Sequence, residues 1–163
     1  MGQKGFTVLE LLVVIAIIGL LASIVMVFFP GATKTAKIAR TQREIKQIYE
    51  TIIIAQHTYD NVLKNITRNG CSECVCRDIE DLSTLPDDHQ CVLNWENVAT
   101  KINFPNGVRD AWGSPYLVDE NELERPDNPC VKDFLRSAGP DKTIGGGDDI
   151  SVSIPFYSDQ CKF

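Results

Sequence analysis

Hydrophobic residues follow three different patterns along this chain. Residues 11–29 form an uncharged apolar run interrupted only by the small residues Gly19 and Ser23. As a helix rising about 1.5 Å per residue, it spans roughly 28 Å, close to a bilayer core. From Ile38 the apolar positions thin out to Ile38, Ile45, Ile48, Ile52, Ala55, Tyr59, Val62 and Ile66. Spacings of three and four place these on one stripe of an amphipathic helix, with Lys37, Arg40, Arg43, Lys46 and Glu50 largely off it. Pro30-Gly31 predicts a kink between the two patterns, and Asn69-Gly70 predicts a stop. Together they predict one helix of some 60 residues, roughly 90 Å long. The third pattern begins after residue 106. Short β-rich runs at Tyr116 to Val118, Val131 to Arg136 and Ile150 to Ile154 are separated by Asn, Asp, Pro and Gly clusters. They predict a small antiparallel sheet with one face on the Ile48–Tyr59 stripe.

The polar residues around the apolar run narrow its meaning. A secretory signal peptide has a shorter apolar region followed by a small-residue cleavage site, whereas this run ends in Phe28-Phe29-Pro30. Lys4 in front of the run places the N-terminus in the cytoplasm and everything past Pro30 outside. Glu10 stands at the mouth of the run, where an ionised side chain is poorly solvated and requires a partner that the segment alone does not supply. The sequence Gly5-Phe6-Thr7-Val8-Leu9-Glu10 resembles the N-terminus of type IV pilins and the pseudopilins of type II secretion. The resemblance implies cleavage between Gly5 and Phe6 by a prepilin peptidase and methylation of the new amine. It also implies pairing of Glu10 with the N-terminal amine of a neighbouring subunit during assembly.

The net charge of −6 disfavours nucleic acid as a partner, since phosphates select basic surfaces. No Lys/Arg cluster with interleaved aromatics offsets that balance. Cys71, Cys74, Cys76 and Cys91 have spacings that, taken alone, suit a tetrahedral zinc site. In an exported chain, however, these four with Cys130 and Cys161 are expected as three disulfides, paired in any of fifteen ways. Asp81 or Ser83 starts a short turn in this middle region, and Trp95 to Ile102 is expected as a short covering helix. His57, one residue off the apolar stripe, reads as a surface or groove residue on the long helix and His89 as a loop residue. No hydrolase or metalloprotease motif accompanies them, so no enzyme is expected.

Two C-terminal segments carry more specific chemistry. Asp110-Ala111-Trp112-Gly113-Ser114-Pro115-Tyr116 reads as a turn pinned by a half-buried tryptophan before a strand, and it resembles a segment of the major pseudopilin. Between the last two strands, Asp141, Asp148 and Asp149 flank the triple glycine 145–147. Carboxylates brought together repel unless a cation or proton lies among them, and calcium takes six to eight oxygens. The stretch resembles the calcium loop of the major pseudopilin. That resemblance implies carboxylates from Asp141, Asp148 and Asp149 and main-chain carbonyls from Ala138, Gly146 and Ile150. Lys142 stands where the family has glycine, a cation expected to weaken binding.

The expected fold is α+β, of pilin type: a long N-terminal helix on a small antiparallel sheet with a calcium loop. Its parts are a leader (1–5), a transmembrane and filament-core helix (6–29), the amphipathic half of the helix (30–69) and an extracytoplasmic globular part (70–163). The last comprises a cysteine-rich region (71–106), outside the family pattern, and the sheet with its loop (107–163). The resemblance implies a pseudopilus subunit of a type II secretion system, a homopolymer working with minor pseudopilins, an inner-membrane assembly platform and its ATPase. Alternatives are a type IV pilus subunit for adhesion, motility or DNA uptake, and a membrane-anchored metal-binding or recognition domain that does not polymerise.

Overall fold

The computed structural model describes residues 7–105 and 107–162, with the backbone alone at 25–30. Gly5 and Phe6, the expected processing junction, lie outside the described residues. The chain divides into two compact units, Met1–Lys37 and Ile38–Phe163. Helix α1 (Val8–Tyr59) contributes to both.

In the first unit the large apolar side chains from Val8 to Ile24 are all exposed, Val8 at 82% and Ile24 at 48%. A helix apolar on every side buries itself in a large core or in lipid. Among the described residues no helix is long and apolar enough to cross a membrane. The far end of the apolar run, residues 25–30, has no described side chains.

The second unit holds the core. Ile45, Ile48, Ile52 and Ala55 of α1 are buried together with Trp95, Val98 and Ala99 of α3 (Gln90–Lys101) and with Tyr116, Val118, Leu135 and Ile154 around the sheet. Full burial of an isoleucine such as Ile48 or Ile52 contributes about 1.5–3 kcal/mol. The predicted stripe is therefore real, but it stops at Ala55, because Tyr59 is 60% exposed.

The helix also ends earlier than predicted. Asp60 takes a left-handed conformation (φ 50°), and Asn61 N donates to Gln56 O at 3.1 Å, closing the last turn. Aspartate is among the few residues that enter this region readily. Val62 is then extended, and a separate short helix α2 (Leu63–Thr67) packs on α3, ending at left-handed Arg68 rather than at Asn69-Gly70. The single helix expected through residue 69 is thus two helices.

Helix α3 begins before the expected Trp95. His89 caps it, its Nδ1 accepting from Cys91 N at 3.2 Å. Strands β1 (Leu117–Asp119), β2 (Phe134–Ser137) and β3 (Ile150–Ser153) form an antiparallel sheet in the order β1-β2-β3. Val118 faces Leu135, which faces Val152. The second strand starts at Phe134 rather than Val131, because Asp133 is committed to loop bonding. Its carboxylate accepts from Glu122 N at 2.7 Å and its carbonyl from Ile154 N at 2.8 Å. The six cysteines form Cys71–Cys74, Cys76–Cys91 and Cys130–Cys161.

Candidate functional site

The turn joining β2 to β3 brings Asp141, Asp148 and Asp149 together, with one carboxylate oxygen of each within 4.8 Å of the others. Backbone N–H groups hold the set. Asp148 Oδ2 accepts from Asp141 N at 3.1 Å, Asp141 Oδ1 from Thr143 N at 2.9 Å, and Asp149 Oδ2 from Gly145 N at 3.0 Å. The bond from Thr143 N holds the Asp141 carboxyl below its ordinary range. Two oxygens, Asp148 Oδ1 and Asp149 Oδ1, are buried without a hydrogen-bond partner. Carboxylate oxygens that lack donors, on residues of a three-carboxylate group, suit a hard divalent cation. The donor set therefore fits calcium.

Glycine matters here at two points, strictly at Gly139, where a side chain would strike backbone, and less so at Gly146, where it would strike a movable carboxylate. A Cβ on Gly146 would lie 1.6 Å from Asp141 Oδ2, and one on Gly139, itself at φ 71°, would lie 2.4 Å from the Asp148 carbonyl oxygen. Ala138 is fully buried just after β2, and Ile150 opens β3 opposite Ser137. All six residues expected at the loop thus belong to one turn and its two strand ends.

Lys142 is oriented differently from what its sequence position suggests. It adopts φ 64°, and its Nζ pairs with Asp81 Oδ2 at 3.2 Å, while its carbonyl accepts from Leu82 N at 3.1 Å. The Asp81 carboxyl is held low, first by the Ser83 hydroxyl and then by this lysine. A second cation lies nearer the aspartates. Arg136 Nη1 is 3.9 Å from Asp149 Oδ2, and its Nε is 3.0 Å from Glu73 Oε2.

The turn before β1 is pinned by Asp110 more than by Trp112. Asp110 Oδ1 accepts from Trp112 N and Ser114 N, both at 2.9 Å, and Oδ2 accepts from Ser137 Oγ at 2.6 Å. One buried carboxylate thereby ties this turn to the end of β2, next to the acidic loop. Burial raises its pKa despite those bonds. Tyr116 follows, buried, its hydroxyl donating to Glu44 Oε2 of α1 at 2.6 Å.

Four further acids were not anticipated as buried: Glu73, Glu120, Glu122 and Asp133 are each at most 2% exposed. Glu120 accepts from Ser72 N and Oγ at 2.8 and 2.7 Å, and Glu122 from Tyr157 N and Ser158 N at 3.0 and 2.7 Å. Burial pushes Glu120 up to about 7 and Asp133 up to about 6.

At the start of α1, Glu10 does have a partner within its own segment. Its Oε2 accepts from Thr7 N and Thr7 Oγ1, both at 2.8 Å, and Glu10 N donates to Thr7 Oγ1 at 3.2 Å. This reciprocal capping box satisfies orphan donors at the helix start. Thr-x-x-Glu is its sequence signature, so the signal was present at Thr7. His57 is exposed, its ring edge to face with that of Tyr157 at 5.3 Å.

A capped apolar helix start, a long helix laid into a small three-stranded sheet and an acidic turn at the sheet's end define a pilin-like protein. A family described as the prokaryotic N-terminal methylation motif matches residues 1–26. Type II secretion system core protein G of Escherichia coli (strain K12) is 31% identical over 91% of this chain and 90% of its own length. The core protein G of Pseudomonas aeruginosa is 27% identical over 90% of each chain. The chain belongs to the family of type II secretion system core protein G, the major pseudopilin. That extent takes in part of the cysteine-rich middle, beyond the segments whose residues carry the resemblance. No solved structure matches the chain.

Proposed function

We propose that this chain is a structural subunit of a type II secretion pseudopilus that works by polymerising rather than by catalysis. The carrying observation is its relationship, along nearly its whole length, to core protein G of two bacteria. In this reading a prepilin peptidase cuts between Gly5 and Phe6 and the new amine is methylated. The apolar part of α1 holds the subunit in the inner membrane with its C-terminal unit outside. An assembly platform, its ATPase and minor pseudopilins then build the filament that drives export across the outer membrane. Glu10, capped by Thr7 in the single chain, exchanges that contact for the amine of a neighbour. Both relatives are secretion proteins, which favours this reading over a surface pilus.

Calcium belongs to the same proposal. Asp141, Asp148 and Asp149 would hold it, with the carbonyls of Ala138, Gly146 and Ile150. Its role there is charge neutralisation that fixes the turn between the last two strands. The test is complementation in cells of the source organism lacking this chain. The wild-type chain restores export and Glu10→Ala does not, although it is inserted and processed. Export undiminished in cells lacking the chain would overturn the reading.

A further inference from the structure

The three disulfides differ sharply in setting. Cys76 and Cys91 are each 1% exposed and sit in a small core with Leu82, Leu117 and Ala138. In the Cys130–Cys161 pair, Cys161 is 2% exposed and Cys130 half-buried. In the Cys71–Cys74 pair, Cys71 is half-buried and Cys74 exposed. Both sulfur residues line a cavity of about 300 Å³ shared with Arg77, Asp119, Glu124 and Arg125. The pair closes a ring with a separation of only 3, against 15 and 31 for the others. Because the stabilisation from a cross-link grows with loop length, this pair does the least to hold the fold.

What does hold the segment is non-covalent. Ser72 donates twice to buried Glu120, Glu73 N donates to Val118 O at 2.9 Å, and Glu73 pairs with Arg77 and Arg136. The loop thus has anchors that survive opening of its own disulfide. The two sulfurs are also chemically unequal. Arg77 Nη2 lies 3.6 Å from Cys71 Sγ, and the same nitrogen contacts Glu73 Oε1 at 3.1 Å and Asp119 Oδ2 at 2.9 Å. The guanidinium offsets two carboxylates that would otherwise disfavour a thiolate at Cys71.

We propose that Cys71–Cys74 is a thiol-exchange site open to low-molecular-weight thiols and dithiols. The incoming thiolate attacks the Sγ of Cys74, the more exposed residue of the pair, a mixed disulfide forms there, and the Sγ–Sγ bond breaks with Cys71 leaving as the thiolate beside Arg77. With a monothiol, Cys71 re-attacks Cys74, expels the reagent thiolate and restores the ring. With a dithiol, the second thiol attacks the reagent's own sulfur. The reagent leaves as a cyclic disulfide, two electrons and two protons having passed to Cys71 and Cys74. Arg77 acts through Cys71 by favouring the leaving thiolate, whose stability sets the rate of departure.

The experiment uses the folded full-length chain in detergent, without denaturant. Dithiothreitol is added at low concentration, samples are quenched with acid at intervals, and alkylated cysteines are located by peptide mass spectrometry. Cys71 and Cys74 are expected to open together at least tenfold faster than either other pair. Brief exposure to 2-mercaptoethanol is expected to leave its adduct on Cys74. Arg77→Gln should slow opening of this pair several-fold while leaving Cys130–Cys161 unchanged, and Arg77→Lys should restore it in part. Comparable rates at all three pairs, an adduct on Cys71, or thiols already free at Cys71 and Cys74 would overturn the proposal. Equal slowing of every pair in Arg77→Gln would overturn the role given to Arg77.

Discussion

Lys142 Nζ lies 3.2 Å from Asp81 Oδ2, so the cation that sequence reading set against metal binding is committed to the cysteine-rich segment. A half-exposed pair of this kind contributes little to stability. Lys142→Gln should therefore leave calcium affinity within about threefold of wild type, whereas Asp148→Ala should abolish binding. Binding to the folded state alone stabilises by RT ln(1 + [L]/Kd), about 2.7 kcal/mol at a hundredfold excess over Kd. Thermal unfolding with and without millimolar calcium reads both variants. A wild-type chain with no calcium response at that level would remove the site.

Gly146→Ala tests the loop from the backbone side. The added methyl would fall 1.6 Å from Asp141 Oδ2 and must push that carboxylate away from its neighbours. Calcium affinity should drop at least tenfold. Stability without calcium should move by no more than about 0.5 kcal/mol, as for other exposed substitutions. Isothermal calorimetry against calcium, paired with urea unfolding in chelator, separates the two effects.

The buried acids predict an unusual pH dependence. Glu120 rises to about 7 and Asp133 to about 6 in the folded state, above their unfolded values, so the folded chain binds more protons between about pH 4 and 7. Where the folded state holds the extra protons, stability falls as pH rises. Their contribution is fully present below the unfolded values and is lost as pH climbs through the folded ones. For Glu120 alone the loss is on the order of 3 kcal/mol. Glu120→Gln, which resembles the protonated acid, should flatten that part of the profile. Urea unfolding at pH 4.5, 6 and 8 in chelator would show it, and identical slopes for variant and wild type would refute it.

Tyr116→Phe removes the hydroxyl that donates to Glu44 Oε2 and leaves the ring in the core. Hydrogen bonds to charged groups contribute about 1.5–3 kcal/mol, and the loss here should sit near the lower end, because Glu44 keeps Arg40 at 2.9 Å. Glu44→Gln should cost less than Tyr116→Phe, since the amide oxygen still accepts. Denaturant midpoints at constant slope give the comparison.

The parts of this fold that were legible in the sequence were those in which periodicity and burial agree. Ile45, Ile48, Ile52 and Ala55 lie on the predicted stripe and are buried, and the three strands fall near their predicted places. The acidic turn was legible because three aspartates and a triple glycine force a tight, charged loop. The end of α1 was not, since the apolar spacing continues through Val62 and Ile66, and only the backbone shows that the chain turns at Asp60, runs extended at Val62 and places Ile66 in a second helix. The start of α3 was hidden because Cys91 was read as a cross-link when it is also an apolar position on the helix's buried face. Glu73, Glu120, Glu122 and Asp133 were unreadable for a different reason. Acidic residues are almost never fully buried unless paired. Glu73 pairs with Arg77 and Arg136, and Glu120, Glu122 and Asp133 accept from backbone N–H groups, partners that no pattern of residue types reveals.

Each disulfide closes within its own neighbourhood. Two lie between residues 71 and 91 and one joins 130 to 161, while α1 carries none. Under tension applied at the two ends of the chain, force would bypass the segments 76–91 and 130–161 through their sulfur bridges. Those stretches would add nothing to the extension until reduced. The helix would have no such shortcut and would pay out its full length once its side-chain grip on Trp95, Tyr116 and Leu135 let go. A chain pulled open would thus lengthen through α1 and residues 92–129, while the two laced segments stay short.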